Sequence, residues 1–448
     1  MILPSRILVR GFALLLGVGL VSLRAAAADG PDAQPFKVES NLRIAVAKVD
    51  ISPPDGTITT GHIRPTKGFR NRLHAVVLLL DDGRTKAAIV AHDLIASSPA
   101  VTEGFRSAVT EAVGIPSDHI MVAASHNHSG PKWEDHMEWS RKVMKDTTAA
   151  VSAAAKKMRV ANIGYSEDRI DFGINRRQMI GGRAVVRLNP DGPNDSRVKV
   201  LRFDDGESLE PLAVMMHAVC HPCVHTWGDK WSPPYPNGYP KMSADFPGVG
   251  KGFVERVYGD RTTAMFLQGC AGDIRPNLPG FPYRCGDEAD MLWCGRGLGC
   301  AAVRASDKSA VREQLSGRAT IYPIRCVTKI VEVPSAKDGK PVRCELQALK
   351  VGPYLFLTLP GEPMVEYGFR LEKAIANRAI PIVVGYANGN IGYICTDVAH
   401  KEGGYEPNNS ASGPGAEGVL VAESLRLADR VIADVFEHFA PPQAPNRK

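Results

Sequence analysis

Histidine is scarce in this chain, 12 of 448 residues, and its placement is where chemistry can first be read. Two fall in Ser125-His126-Asn127-His128-Ser129-Gly130-Pro131, directly after the apolar run Ile120 to Ala124. Residues i and i+2 of an extended strand share a face. His126 and His128 are therefore expected to point the same way from a strand end closed by Gly130-Pro131. Strand ends are where α/β proteins build sites, and one imidazole can hold a metal while the other handles a proton or a substrate oxygen. A pair of capping or solvent-facing histidines has the same spacing.

A second cluster, His217-Ala-Val-Cys220-His221-Pro222-Cys223-Val224-His225, again ends an apolar run. Three readings compete here. Cys220 and Cys223 form a redox pair; or Cys220, Cys223 and His225 belong to a structural zinc site; or His221 alone joins a catalytic metal, fixed in place by Pro222. A redox Cys-x-x-Cys belongs at a helix start, which Pro222 and His225 do not suggest. A closed zinc site needs a fourth ligand that no nearby spacing clearly supplies. Two further segments place a carboxylate, Glu362 in Leu357-Thr-Leu-Pro360-Gly361-Glu362-Pro363, and a phenol, Tyr393 in Asn388-Gly389-Asn390-Ile391-Gly392-Tyr393. Singly, Glu362 reads as an acid favoured at a helix N-terminus, and Tyr393 as a half-buried tyrosine. Together, two histidines, a carboxylate and a phenol at four strand-to-loop junctions make a nitrogen- and oxygen-rich set suited to zinc with room for water.

The elements that must position this set alternate in type. Leu42 to Val49, His74 to Leu80, Ala87 to Ala91, Ile120 to Ala124, Val198 to Phe203, Leu212 to His217 and Ala264 to Leu267 read as strands. Arg318 to Val333, Cys344 to Lys350 and Tyr354 to Leu359 read as antiparallel strands, and Ile382 to Tyr386 as another. Helices are expected from Ser98-Pro99 to Val113, with Ser98 as N-cap, and over Lys132 to Met158, Pro363 to Asn377 and Ala416 to Phe439. The alternation predicts an α/β protein with mixed β-sheets flanked by helices. No repeat appears and no Ser- or Gly-rich linker splits the middle, so one large catalytic domain is expected over residues 42–440.

Composition bounds the function. At 44% hydrophobic and 23% charged residues, global disorder, a collagenous chain and a multi-span membrane protein are excluded. The 43 Gly and 33 Pro exceed the usual share of about 12% and imply a loop-rich fold. Arg6 and Arg10, the apolar run Gly11 to Leu23, and Arg24 followed by Ala25 to Ala28 have the layout of a secretory signal peptide, read as residues 1–28, with a polar linker over 29–41. Removing Arg6, Arg10 and Arg24 lowers the formal charge from +6 to +3, which gives no basis for a nucleic-acid partner. The chain would be exported, periplasmic or secreted. Nine cysteines, Cys220, Cys223, Cys270, Cys285, Cys294, Cys300, Cys326, Cys344 and Cys395, could then oxidise. Their odd number leaves at least one unpaired in a monomer.

From Leu42 to the C-terminal helix the sequence resembles the catalytic domain of the neutral/alkaline non-lysosomal ceramidases. The resemblance is carried by Val49-Asp50-Ile51-Ser52-Pro53-Pro54, by Ser125 to Pro131 as its most specific stretch, by Asn175-Arg176, by Gly272-Asp273 with Pro276-Asn277, by Pro360 to Glu362, and by Tyr393 with Tyr405. It implies a ceramidase-like hydrolase whose catalytic zinc is held by His126, His221, Glu362 and Tyr393. It also implies that His128, Arg176 and Tyr405 face the substrate amide and its developing oxyanion, with His128 delivering the proton to the leaving amine. Zinc in such a site makes hydroxide available for attack near neutral pH. The implied partner is a small amphipathic amide, such as an N-acyl lipid met at a membrane surface. Arg275 stands where the family pattern has a serine, which puts ceramide itself in question and offers a cation for an anionic substrate group. The family's C-terminal β-sandwich is not expected in this chain, and Cys270 to Cys300 is expected as an irregular insertion. The competing functions are a zinc-bearing binding protein without turnover and a hydrolase of another bond.

Overall fold

In the computed structural model the described residues are 40–60, 65–224, 241–278, 286–309 and 321–433. The expected signal peptide, the linker up to residue 39, His225 and Cys285 lie outside them. The first half of the chain gives β1 (Arg43–Asp50), β2 (His74–Asp81), β3 (Lys86–His92), α1 (Pro99–Val113), β4 (Ile120–Ala124), α2 (Met137–Ala155), β5 (Arg159–Arg169), β6 (Gly173–Ile180) and β7 (Arg183–Asn189). The middle gives β8 (Arg197–Asp205), β9 (Pro211–Ala218), α3 (Asp245–Tyr258), β10 (Thr263–Gln268), β11 (Ile274–Pro276) and α4 (Glu288–Lys308). The last third gives β12 (Ile324–Val333), β13 (Val342–Val351), β14 (Tyr354–Thr358), β15 (Glu362–Pro363), α5 (Val365–Ile375), β16 (Ile380–Val384), β17 (Tyr393–Ile394), α6 (Asp397–Glu402), α7 (Tyr405–Asn408) and α8 (Ala416–Ala433).

An eight-stranded mixed sheet runs β10-β9-β8-β5-β1-β2-β3-β4, and a four-stranded sheet runs β12-β13-β14-β16. The sequence of β2 shows why these sheets stack. Its even positions, Val76, Leu78 and Leu80, enter a core shared with Tyr354, Phe356, Ile382 and Val384 of the smaller sheet. Its odd positions, Ala75, Val77 and Leu79, enter a second core with Phe105 and Val109 of α1 and Val143 of α2. A strand with period-2 side chains that is apolar on both faces must be covered on both. Helices α3 and α4 cover the other half of the large sheet through Val254 and Leu298, and α5 and α8 cover the outer face of the small one through Leu371, Leu420 and Leu427. The α/β expectation with mixed sheets flanked by helices is met.

Several boundaries differ from the sequence reading. The helix expected from Lys132 starts at Met137, because Trp133 turns in to be buried against Phe105 and Trp139. The helix expected from Pro363 starts at Val365, because Glu362–Pro363 is used as a short strand paired with Tyr393–Ile394. The stretch Cys270 to Cys300 is not irregular throughout. It contains β11 and most of α4, whose start is fixed by a capping box between Asp287 and Asp290. Strands β5, β6 and β7 and helix α3 were not anticipated. Alternation in β5 to β7 is weak, and Pro247 and three glycines obscure the helical period of α3.

Candidate metal centre

The site gathers where the two sheets meet at their strand ends. Beyond β16 the chain crosses to β4, the edge strand of the large sheet. Ala124 N–H donates to Tyr386 O (3.1 Å), Asn388 N–H to Val122 O (2.9 Å), and Val122 N–H to Asn388 Oδ1 (2.9 Å). Ala124, Val219, Ala271, Ile274, Val365 and Tyr386 form a small apolar floor there. The loops after β4, β9 and β14 deliver His126, His221 and Glu362 onto it.

His126 and His128 do converge, but not as neighbours on an extended strand. Strand β4 stops at Ala124 and His126 takes a left-handed φ of 66°, sparsely populated for a side chain of this size. Asn127 holds that turn. Its amide nitrogen donates to Asp93 O (3.1 Å) and Ser243 O (2.7 Å), and its oxygen accepts from Ser129 N–H (2.9 Å). His221 is fixed by its N–H to Ile274 O (3.1 Å). Glu362 depends on close backbone packing, since a Cβ at Gly272 would stand 2.5 Å from Glu362 O.

His126 Nδ1 donates to Ile95 O at 2.7 Å and His221 Nδ1 donates to Ala271 O at 2.6 Å. A neutral imidazole carries one N–H, so both Nε2 atoms present bare lone pairs. These two atoms lie 2.9 Å apart, and His128 Nε2 lies 3.0 Å from that of His126. Glu362 Oε2 sits 3.1 Å from His126 Nε2 and 3.2 Å from His221 Nε2, yet it is buried and accepts no hydrogen bond. Burial raises a carboxyl, but the adjacent His126 and His221 outweigh it and hold Glu362 well below the ordinary range. Burial, with Arg176 and His126, pushes His221 down to about 4. Burial, reinforced by His126 and His221, also pushes His128 well down. The bare Nε2 atoms of His126 and His221 thus converge with the Glu362 oxygen, and His128 Nε2 stands beside them. Such a donor set fits a divalent cation of the zinc type, and the Nδ1 anchors are those that orient metal-bound imidazoles.

A second group of predicted residues adjoins the first. Arg176 donates to Tyr393 Oη (2.9 Å), Gly272 O (2.7 Å) and Glu406 Oε1 (2.9 Å). Its guanidinium lies 5.5 Å from the Tyr393 ring centre and 5.7 Å from that of Tyr405. Burial pushes the Tyr393 phenol well above its ordinary value, more than Arg176 pulls it down. Tyr405 is half exposed, while Glu406 is buried between Arg176 and Arg177. Arg275 lies in β11, beside the Ile274 that anchors His221. Cys220 is buried in the core with Cys294, and no thioredoxin-type helix begins at Cys220. Sequence reasoning missed Asn127, Glu406 and Tyr386. Tyr386 stacks on His126 (centroids 4.3 Å apart) with its hydroxyl buried and without a partner among the described residues. The only sequence signals were adjacency to chosen residues for Asn127 and Glu406 and, for Tyr386, its place at a strand end before Ala387-Asn388-Gly389.

Two stacked sheets between helical layers, with a histidine–carboxylate cluster at the junction of their strand ends, define the ceramidase-like α/β fold. The structure is similar to the crystal structure of neutral ceramidase from Pseudomonas aeruginosa, with a TM-score of 0.70 and 16% identity over 88% of this chain and 74% of that chain. It is also similar to a ceramidase complexed with C2, with a TM-score of 0.69 and 15% identity over 87% of this chain and 75% of that one. The resemblance noted in the sequence is borne out in the fold. No family model and no curated protein matches the sequence.

Proposed function

We propose that this chain is an exported, zinc-dependent amidohydrolase that cleaves the amide bond of an N-acyl lipid or a related amide. The observation that carries the reading is the cluster of His126, His128 and His221, whose ligand atoms lie within 4.8 Å of one another, with the buried Glu362 Oε2 3.1 Å from His126 Nε2 and 3.2 Å from His221 Nε2. His126, His221 and Glu362 would hold the metal, with Tyr393 as the fourth ligand that the family resemblance implies. Bound there, zinc lowers the pKa of a water from 15.7 toward about 7 and polarises a carbonyl.

The remaining residues divide the other tasks. His128 differs from the two anchored histidines, since its Nδ1 makes no hydrogen bond among the described residues. As the family resemblance implies, it would carry a proton to the departing nitrogen. Arg176 cannot lose its proton, and Glu406 and Gly272 O hold it rigidly. With the half-exposed Tyr405 beside it, it faces negative charge growing on the amide oxygen. In the overall step water adds to the carbonyl carbon and the C–N bond breaks. The acyl group leaves as a carboxylate, and the nitrogen takes both of the water's protons and leaves as an ammonium.

Arg275 stands buried in β11 at the position of the family's serine, so the substrate panel extends beyond ceramide to N-acyl compounds that carry an anionic group. Metal analysis of the purified mature protein, followed by a panel of fluorogenic N-acyl sphingosines, N-acyl amino acids, esters and phosphoesters, tests the proposal. About one zinc per chain and turnover confined to amides supports it. Bound zinc without turnover points to a binding protein, and a metal-free, active protein overturns the mechanism.

A further inference from the structure

Tyr386 is the largest fully buried side chain beside the metal centre that the reaction outlined above does not use. Three observations set it apart. Its backbone sits at φ 56°, a conformation that costs a bulky residue free energy and tends to persist where structure over-determines it. The neighbours that hold it there belong to the site. Its N–H donates to Gly361 O (2.7 Å), the residue before Glu362, and its carbonyl accepts from Ala124 N–H (3.1 Å), two residues before His126. Its ring lies over His126, tilted by 32° at 4.3 Å, and stands edge-on to His221 at 6.3 Å. Finally, its hydroxyl is buried and has no partner among the described residues, although Glu362, Tyr393 and Arg176 are near enough to act on it.

Phenylalanine would fill the same volume and make the same stack without leaving a buried donor unsatisfied. An unpaired buried hydroxyl is destabilising, and in a native structure it calls for an explanation at the site where it occurs. Resting on the reading of this cluster as a zinc amidohydrolase centre, we propose that Tyr386 is a further ligand-contacting residue. Its hydroxyl donates a hydrogen bond to an oxygen of the molecule bound at the centre. The recognised chemistry is a carbonyl or carboxylate oxygen, as found in an amide substrate or its acyl product.

Tyr386→Phe removes the hydroxyl and keeps the ring. Octanohydroxamate and octanoate serve as probes, and titration calorimetry reads their binding to the zinc-loaded wild type and variant. The expected result is full zinc content, an unchanged or higher Tm, and binding of both probes weakened by about tenfold, the scale of one lost hydrogen bond. Equal affinity in the two proteins overturns the proposal while leaving the hydrolase reading intact. So does a lowered Tm with unchanged affinity, which would assign the hydroxyl to a resident structural water. If the wild type binds zinc but neither probe, the Tyr386 proposal fails alone. If it binds no zinc, the metal reading fails and the proposal falls with it.

Discussion

His126 Nε2 and His221 Nε2 face each other at 2.9 Å with no proton to share, because each ring spends its N–H on a backbone carbonyl. The Glu362 oxygen completes the opposition of lone pairs. The metal-free centre therefore leaves the two Nε2 lone pairs without a donor, and a cation would satisfy them. Glu362→Gln supplies an amide N–H to the same space. The metal-free variant is expected to be more stable than the metal-free wild type by about 1 kcal/mol, the net worth of a hydrogen bond. Zinc, which raises the Tm of the wild type by mass action, should no longer raise that of the variant. Calorimetric scans of both proteins with and without zinc check this. A metal-free variant less stable than metal-free wild type contradicts it.

Gly272 tests how Glu362 is placed. A methyl group there meets Glu362 O at 2.5 Å and the Pro363 backbone at 3.0 Å, neither of which can swing aside as a side chain can. Gly272→Ala is expected to cost about 1–3 kcal/mol, as overpacking does. It should also weaken zinc binding by at least about tenfold, since outer supports of a metal site typically contribute that much. Gly418→Ala in α8, where a Cβ meets nothing within 4 Å, serves as the control. It should be neutral or stabilising, because Ala is the better helix former by about 1 kcal/mol. Denaturant unfolding and zinc titration separate the two.

The layers and most of the site were legible in the sequence, each for a physical reason. Strand β2 was visible because burial on both faces leaves an unbroken apolar run from Ala75 to Leu80, and α1 because Ser98 and Pro99 mark its start. His126, His221 and Glu362 stood out only as a set, because each follows an apolar strand into a Gly- or Pro-containing loop and the family resemblance assigns all three to one metal. What could not be read was how the strand ends meet. The pairing of Glu362 with Tyr393 and the bridge from Tyr386 to Ala124 join positions distant in the chain through backbone atoms. Backbone hydrogen bonds carry no residue-type signal. Tyr386 was missed for the same reason, since only its stacking on His126 distinguishes it from any tyrosine near a strand end.

Two buried histidines outside the proposed donor set predict the acid limit of the fold. Burial, with Lys251 nearby, pushes His92 down to about 3, and burial, with Lys199 nearby, pushes His217 down to about 4, against an ordinary 6.5. Both values are depressed in the folded state. Their contribution is complete above pH 6.5 and is lost as pH falls toward 4 and then 3, because the unfolded chain binds the protons first. Each histidine should steepen the loss of stability by up to about 1.4 kcal/mol per pH unit across that window. Urea unfolding from pH 7 to pH 4.5 measures the slope, and His92→Gln should reduce it. A wild-type stability that stays level over this range would count against the assignment.

The ion pair between Lys251 and Asp93 gives the sharpest separation of stability from site geometry. Lys251 Nζ is 2.7 Å from both Asp93 oxygens, and both residues are buried. Asp93 Oδ2 accepts from His74 N–H at 2.8 Å, and its backbone carbonyl accepts from Asn127, which holds the loop between His126 and His128. Lys251→Met strands the carboxylate in a dry interior and should cost about 3–5 kcal/mol. Changing Asp93→Asn as well removes the stranded charge and keeps an acceptor for His74 N–H. The double variant Asp93→Asn/Lys251→Met should therefore recover most of that loss, a strongly non-additive result for a contacting pair. Zinc affinity should fall in the single Lys251→Met variant, as the Asp93 backbone shifts beneath Asn127, and return toward the wild-type value in the double variant. A double variant as unstable as the single one would show that Lys251 acts through packing of its aliphatic stem instead of through its charge.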